Sequence, residues 1–166
     1  MTGAVLLVLV ASTYAFASRL PRSVARRLGR AGARIARLVL RADARRASIN
    51  LERLPAESRP SVSQVFEHLG LCAADACTMP RSAEELARLV TVEGEGRWQQ
   101  RLQARRGTVW VSGHLGHWEL PAAWATAQGV RVVALVAPIH YRGLDRWVRR
   151  LRLRHGIVAL RPDIGG

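Results

Sequence analysis

The chain has 166 residues, enough for one hydrophobic core, and its apolar content of 49% argues against an intrinsically disordered protein. All 26 basic residues are arginine, against 12 acidic residues, so the formal net charge is +14. A surplus of this size indicates anionic partners, which are nucleic acid, anionic lipid headgroups or phosphorylated substrates.

The first predicted element is an unbroken run of low polarity from Ala4 to Ala17. This run is shorter than the roughly 20 residues that a straight transmembrane helix needs. A secretory signal peptide is the alternative, and residues 15–17 resemble a cleavage site. However, no arginine precedes the run, whereas a cluster of arginines follows it at once, and basic residues stay on the cytoplasmic side. We therefore expect residues 1–20 to form a membrane anchor or an embedded interfacial helix.

An arginine-studded helical pattern follows over residues 22–46, with an apolar stripe made of Val24, Leu28, Ile35, Leu38 and Val39. A basic amphipathic helix beside an apolar segment is typical of a membrane-surface element, in which each cation near an anionic leaflet contributes about 1 kcal/mol. A solvated face on a packed helix is the simpler alternative. Nucleic acid is not expected as a partner, because the sequence has no recognised nucleic-acid-binding motif and no aromatic residues interleave with this stretch.

More helices are predicted downstream. One continues to Leu54-Pro55, a second begins at residues 60–63, and a capping box at Ser82–Glu85 starts a third. Residues 97–105 form one further amphipathic helix. We expect residues 21–106 as a whole to be a helical, basic, membrane-proximal region.

Two cysteines, Cys72 and Cys77, lie in one of these helical patterns. Two cysteines are too few for a disulfide framework, and no further ligands accompany them. They are expected to be buried or free thiols rather than a redox or metal pair.

From Gly107 the hydrophobic period changes. The predicted elements are a strand over 108–112, a helix over 118–128, a strand over 130–137, a helix over 144–155 and a strand over 157–160. This β-α-β-α-β order with short connections implies a parallel sheet with right-handed crossovers over residues 107–166. Ligands bind at the carboxyl ends of the strands in such sheets, and no glycine-rich nucleotide motif is present.

The candidate catalytic stretch is Val109–Leu120, which passes from the first predicted strand through a glycine-bounded loop into a helix. His114 and Glu119 lie on either side of this turn. An imidazole acts as a general base when its tautomer and ring plane are fixed, and a carboxylate bound to the other ring nitrogen does both. The strand–turn–helix arrangement allows the two side chains to converge, although a loop histidine bonded to backbone is the simpler alternative.

The string Gly113-His114-Leu115-Gly116-His117-Trp118-Glu119-Leu120 resembles the H-x-x-x-x-E/D signature of bacterial lipid A biosynthesis acyltransferases. That family is related to phosphatidylinositol mannoside acyltransferases and, more distantly, to glycerophospholipid acyltransferases. Leu144-Asp145 and residues 152–156 extend the resemblance. It implies an α/β protein in which a helical membrane-associated N-terminal region precedes a parallel-sheet core of the glycerolipid acyltransferase type. The resemblance covers only the N-terminal part of the family's usual length, so we expect a truncated core.

The resemblance also implies roles for individual residues. His114 is the expected general base, and Glu119 orients its ring and balances its charge. Arg152 and Arg154 match the family's R-x-R ahead of glycine, and an arginine of this region is expected to bind or stabilise anionic groups, for which its planar donor fork is suited.

Two further residues complete the predicted site. Backbone N–H groups near Gly116 and His117, at the start of the following helix, are candidates for stabilising a tetrahedral oxyanion. His117 stands where the family most often has asparagine. The spacing His114-x-x-His117-x-Glu119 also resembles a metal site, but no further ligand with suitable spacing is evident, so we predict no metal.

The expected function is an O-acyltransferase at the cytoplasmic face of the inner membrane, acting on a hydroxyl of a lipid A precursor. The resemblance implies no cofactor and an acyl thioester co-substrate, either acyl carrier protein or acyl-coenzyme A. The expected partners are therefore membrane lipids, an anionic glycolipid acceptor and this donor. The alternatives are acylation of phosphatidylinositol mannoside or another glycolipid, a non-catalytic membrane-binding fragment and, last, a nucleic-acid-binding protein.

Overall fold

The structure is a computed structural model that describes residues 3–80, 82–104, 106–113 and 116–161. Its helices are α1 Gly3–Ala17, α2 Arg22–Val39, α3 Arg41–Leu51, α4 Val62–Cys77, α5 Ala83–Leu89, α6 Glu95–Gln103, α7 Glu119–Ala127 and α8 Arg142–Arg154. Its strands are β1 Val132–Leu135 and β2 Ile157–Leu160. The chain forms two compact units, Met1–Met79 and Pro80–Gly166, so the division falls inside the predicted helical region 21–106.

The first unit is built on the packing of α2 against α4. The two helices cross at Gly29 and Gly70, where their backbones come so close that a methyl group has no room. A β-carbon at Gly29 would lie 2.4 Å from the carbonyl oxygen of Gly70, and one at Gly70 would lie 2.2 Å from that of Gly29. The small residues Ala33 and Ala74 are buried beside this crossing.

Ion pairs flank the crossing on both sides. Asp75 of α4 accepts hydrogen bonds from Arg22 at 3.0 Å and from Arg26 at 2.9 Å. One to two turns further along α2, Glu67 of α4 pairs with Arg34 at 3.0 Å and with Arg30 at 3.9 Å. Four of the arginines that suggested a lipid-binding face therefore bind the neighbouring helix.

The glycine crossing leads to a prediction with a matched control in the same helix. Gly29→Ala is expected to destabilise the first unit by about 1–3 kcal/mol, because the added methyl group meets backbone rather than a flexible side chain. Gly32→Ala, where nothing lies within 4 Å, is expected to stabilise it by about 0.5–1 kcal/mol through helix propensity. Chemical denaturation followed by circular dichroism measures both changes. If Gly29→Ala and Gly32→Ala change the unfolding free energy in the same direction, the close packing of α2 on α4 is contradicted.

Helix α1 covers the predicted apolar segment and packs against α4. Its residues Val5, Val8, Leu9 and Phe16 are exposed. Among the described residues, no helix is both long enough and apolar enough to cross a membrane.

Local sequence signals account for the starts of α4 and α5. Ser61 caps α4: its hydroxyl accepts from the Gln64 N–H while the Gln64 side chain accepts from the Ser61 N–H. Ser82 accepts from the Glu85 N–H at 3.1 Å, which is the hydroxyl half of the capping box predicted for α5. The helical pattern over 22–46 is interrupted at Leu40, whose ψ of 57° separates α2 from α3.

The second unit contains a two-stranded parallel sheet, with Val132 opposite Ile157 and Leu135 opposite Leu160. Helix α8 connects the strands and packs on β2, while α7 packs on both strands. The core of this unit is small and comes from α5, α7 and β2: its buried apolar side chains among the described residues are Leu86, Ala123, Trp124, Ala125, Ile157 and Ala159. Gly129 and Gly156 have positive φ directly after the helices that they were predicted to end.

The predicted first strand is wrong. Residues 108–112 have no regular secondary structure, and the side chains of Val109 and Val111 are almost fully exposed. A β-branched run forms a strand only when another strand supplies the hydrogen-bonding ladder, and among the described residues no strand pairs with this run. The described core is therefore α-β-α-β rather than β-α-β-α-β.

Candidate active site

The best-defined polar contact of the second unit joins Glu119, the first residue of α7, to Arg152 near the end of α8. Arg152 Nε donates to both carboxylate oxygens, at 2.9 and 3.2 Å, and its Nη2 donates to Oε1 at 2.6 Å. About a fifth of each side chain is exposed. Charge-assisted contacts of this kind are strong and fix both planar groups in orientation. The structure thus brings together two predicted site residues that lie 33 positions apart.

The other predicted residues of the turn are placed less completely. His114 lies outside the described residues. Gly116 has a φ of +61°, a left-handed conformation that glycine adopts without strain, and it turns the chain toward α7. The carbonyl of His117 accepts from the Leu120 N–H at 3.1 Å, which begins the first turn of that helix.

Tryptophan packing fixes the segment before the turn. The Trp110 ring lies 6.1 Å from that of Trp98 in α6, and Trp98 lies 5.4 Å from the buried Trp124 in α7. Aromatic rings at these separations and tilts attract one another as well as burying area. The irregular segment that leads to His114 is therefore held to α6 and α7 through Trp110.

Arg154, the second arginine of the predicted R-x-R pair, has a different environment from Arg152. It lies in the last turn of α8 and its side chain is exposed. The structure therefore separates the two arginines: Arg152 binds a carboxylate of the protein, whereas Arg154 faces solvent.

Asp145 is a polar residue to which the sequence analysis gave no role. It lies in the first turn of α8, is only 3% exposed, and accepts from the Ile139 N–H at 3.0 Å. Its other oxygen pairs with Arg161 directly after β2. Because Ile139 follows β1, this carboxylate ties together the carboxyl ends of both strands, where ligands bind in parallel sheets. A lone acidic residue in a helix with six arginines is the signal that could have identified it.

The pH dependence of stability tests the role of Asp145. The Ile139 N–H, together with Arg161, holds the pKa of the Asp145 carboxyl below its usual value. A carboxyl whose pKa is lower in the folded state stabilises the fold above its unfolded pKa of about 4, and this contribution is lost as the pH falls through the folded pKa. The difference in unfolding free energy between the unmodified protein and Asp145→Asn is therefore expected to be largest at neutral pH and to shrink in acid.

Urea titrations at a series of pH values measure this difference. Glu93→Gln, which changes an exposed carboxyl of the same unit, is the control and is expected to leave the unfolding free energy unchanged. If the difference in unfolding free energy between the unmodified protein and Asp145→Asn grows as the pH falls, the contacts of Asp145 with the Ile139 N–H and Arg161 are contradicted.

A basic groove of about 270 Å³ lies elsewhere on α8, against β2. Arg146, Arg149 and Arg150 line it above an apolar floor that includes Leu153 and Val158. Neither Glu119 nor Arg152 contributes to its lining. In the described part of the chain, no three histidine, cysteine or acidic side chains are grouped as metal ligands, and Cys72 and Cys77 are free thiols.

Comparison with known proteins gives one match. A family model for bacterial lipid A biosynthesis acyltransferases matches residues 1–163, which is nearly the whole chain. No curated protein and no solved structure matches the chain significantly.

Proposed function

Because the chain belongs to the bacterial lipid A biosynthesis acyltransferase family, we propose that it is a membrane-associated O-acyltransferase that moves a fatty acyl chain from an acyl thioester to a hydroxyl group of a lipid A precursor. The observation that carries the proposal is the Glu119–Arg152 pair. It fixes the acidic residue of the H-x-x-x-x-E motif at the start of α7. A motif acts in catalysis only if its side chains are held in place, and Arg152 holds the carboxylate of Glu119 in this way.

In the proposed reaction, His114 accepts the proton of the acceptor hydroxyl as its oxygen attacks the thioester carbonyl. A carbon–oxygen bond forms, and the carbonyl becomes a tetrahedral oxyanion. When this intermediate collapses, the carbon–sulfur bond breaks and the imidazolium returns its proton to the leaving thiolate. The products are an ester and a free thiol, and no acyl-enzyme is required.

Glu119 is a positioning residue in this scheme. Its carboxylate binds the imidazole of His114 and compensates the charge that the ring acquires. Arg152 in turn holds the carboxylate in a fixed orientation. A carboxylate that is fixed by a planar guanidinium presents its remaining lone pairs in a defined direction.

The two arginines of the R-x-R pair then have separate tasks. Arg152 supports Glu119, whereas the exposed Arg154 is available to contact an anionic acceptor such as a phosphorylated sugar. Backbone N–H groups at Gly116 and His117 are proposed to stabilise the oxyanion, because they stand just ahead of the N-terminus of α7. No metal and no cofactor take part in this scheme.

The proposed location is the cytoplasmic face of the inner membrane. The exposed aliphatic side chains of α1 and the arginine excess of the chain support association with an anionic bilayer. The donor is proposed to be acyl carrier protein or acyl-coenzyme A.

An acyl-transfer assay tests the proposal. The purified chain is incubated in lipid vesicles with a lipid A precursor and with either acyl carrier protein or coenzyme A carrying a radiolabelled fatty acyl group. Mass spectrometry is expected to detect a new ester on the precursor. Release of free fatty acid without ester formation, or no turnover of either donor, would contradict an acyltransferase function for this chain.

A further inference from the structure

Helix α2 leaves an uninterrupted aliphatic stripe uncovered. Val24, Leu28, Ile35, Leu38 and Val39 recur at helical spacing, and each is between 38% and 73% exposed. They span 16 residues of a helix. Each step along the helix rises about 1.5 Å, so the stripe is about 22 Å long. Soluble proteins rarely leave an apolar surface of this length without a partner.

The ion pairs to α4 determine which face of α2 is outward. Arg22 and Arg26 bind Asp75, and Arg30 and Arg34 bind Glu67, while Ala25 and Ala33 are buried. The face of α2 against α4 thus consists of small residues flanked by the paired arginines, and the aliphatic side is turned away from α4. In a helix that is only solvated on its outer face the polarity would be the reverse.

The composition of the stripe favours lipid as its occupant. Protein interfaces are enriched in tryptophan, tyrosine and phenylalanine at their centres, and their energetic hot spots are poor in leucine and valine. The stripe contains only leucine, isoleucine and valine. Hydrocarbon, by contrast, accepts aliphatic side chains without demanding a specific shape.

Charge complementarity indicates which lipid. Residues 3–79 contain twelve arginines and five acidic residues, so the first unit has a large positive excess. The exposed Arg27 borders the stripe, and Arg41 lies directly beyond its end. Guanidinium groups at the edge of an inserted helix bind the phosphates of anionic headgroups.

We propose that the outward stripe of α2 inserts into the interface of an anionic lipid bilayer, with α2 lying parallel to the membrane plane and α4 on its aqueous side. Helices of this kind bury their apolar face about 5–10 Å below the headgroups. The inference rests on the membrane association in the proposed function. It assigns that association to a second element besides α1, and its test does not depend on catalysis.

Spin labels on the full chain test the proposal. Single cysteines are introduced as Leu28→Cys or Ile35→Cys on the stripe and Leu69→Cys on α4, after Cys72 and Cys77 have been replaced by alanine. Leu69 is the matched control, because it is the same residue type as Leu28 and is 50% exposed against 51%. Each labelled protein is measured by electron paramagnetic resonance with oxygen and a water-soluble nickel complex as relaxants.

Labels at positions 28 and 35 are expected to become accessible to oxygen and at least tenfold less accessible to nickel when vesicles of phosphatidylcholine with phosphatidylglycerol are added. The label at position 69 is expected to stay accessible to nickel. When the protein is dilute and the vesicles contain phosphatidylcholine alone, labels 28 and 35 are expected to be less shielded from nickel than in the anionic vesicles. Circular dichroism of each labelled protein establishes that α2 is intact.

Three results would overturn the proposal. Labels 28 and 35 that stay accessible to nickel in anionic vesicles would show that the stripe is not inserted. Shielding of those labels without vesicles, increasing with protein concentration, would assign the stripe to a second copy of the chain. Equal shielding at position 69 would show that the contact is not specific to α2. If the unmodified chain shows no acyl transfer while labels 28 and 35 are shielded as expected, the proposed function is overturned and this inference stands.

Discussion

Replacing His114 with alanine is expected to lower the rate of acyl transfer by about 1,000-fold, which lies within the range for loss of a general base. The acceptor hydroxyl is a weak nucleophile while it keeps its proton, so transfer without the imidazole depends on water or hydroxide. Folding and membrane attachment are expected to be unchanged, because the Glu119–Arg152 ion pair and the packing of Trp98 on Trp124 are expected to remain in this variant. Initial rates with a radiolabelled donor measure the effect.

His117→Asn is the matched control in the same turn. It introduces the residue that most members of the family carry, and its expected rate is close to that of the unmodified protein. If His117→Asn is as damaging as His114→Ala, the base has been assigned to the wrong histidine. Near-normal transfer by His114→Ala would contradict the proposed mechanism as a whole.

Replacing Arg152 with alanine is expected to have the second largest effect, because it leaves the Glu119 carboxylate partly buried without its guanidinium. Loss of a charged hydrogen-bond partner at a partly buried site is expected to cost about 1–3 kcal/mol of folding stability. The transfer rate is expected to fall by roughly 100-fold, since a carboxylate that is no longer held does not orient the imidazole. Thermal unfolding and initial rates measure the two effects separately.

Two further variants separate geometry from charge. Arg152→Lys keeps the positive charge but cannot form the forked contact, so most of the rate loss is expected to remain. Arg142→Ala removes an exposed arginine from the first turn of the same helix and is expected to change neither stability nor rate. Full activity in Arg152→Ala would mean that the Glu119–Arg152 pair has no part in the reaction.

Elements with local signals could be predicted from the sequence. Helices α4 and α5 begin at the positions predicted for them, and α7 and α8 lie within about two residues of their predicted bounds. Strand β2 was also predicted with its observed bounds, since a short apolar run after Gly156 leaves few alternatives.

Features that depend on distant residues could not be predicted. The run at 108–112 has strand-forming residues, but a strand needs a partner, and periodicity does not show whether one is available. The Glu119–Arg152 pair joins residues 33 positions apart. The contacts of Asp145 with the Ile139 N–H and with Arg161 form only when β1, α8 and β2 are assembled. The sequence indicated each of these side chains as charged but not its partner.

The orientation of helix α2 also depends on distant residues. The sequence pattern predicted a basic amphipathic helix at a membrane surface, with its arginines near an anionic leaflet. The crossing at Gly29 and Gly70 brings α2 so close to α4 that Asp75 and Glu67 take up four of these arginines. The amphipathic character of the helix was predicted, but the direction of its two faces depended on a glycine contact between separate helices.

The central claim, that Glu119 acts through His114, is tested most directly by the rate of acyl transfer in Glu119→Gln, His114→Ala and the double variant. Groups that act as a unit are not additive, so the double variant is expected to be no slower than His114→Ala alone, although Glu119→Gln by itself lowers the rate by roughly 100-fold. If the two losses multiply in the double variant, Glu119 contributes independently of His114, and the proposed positioning role is wrong.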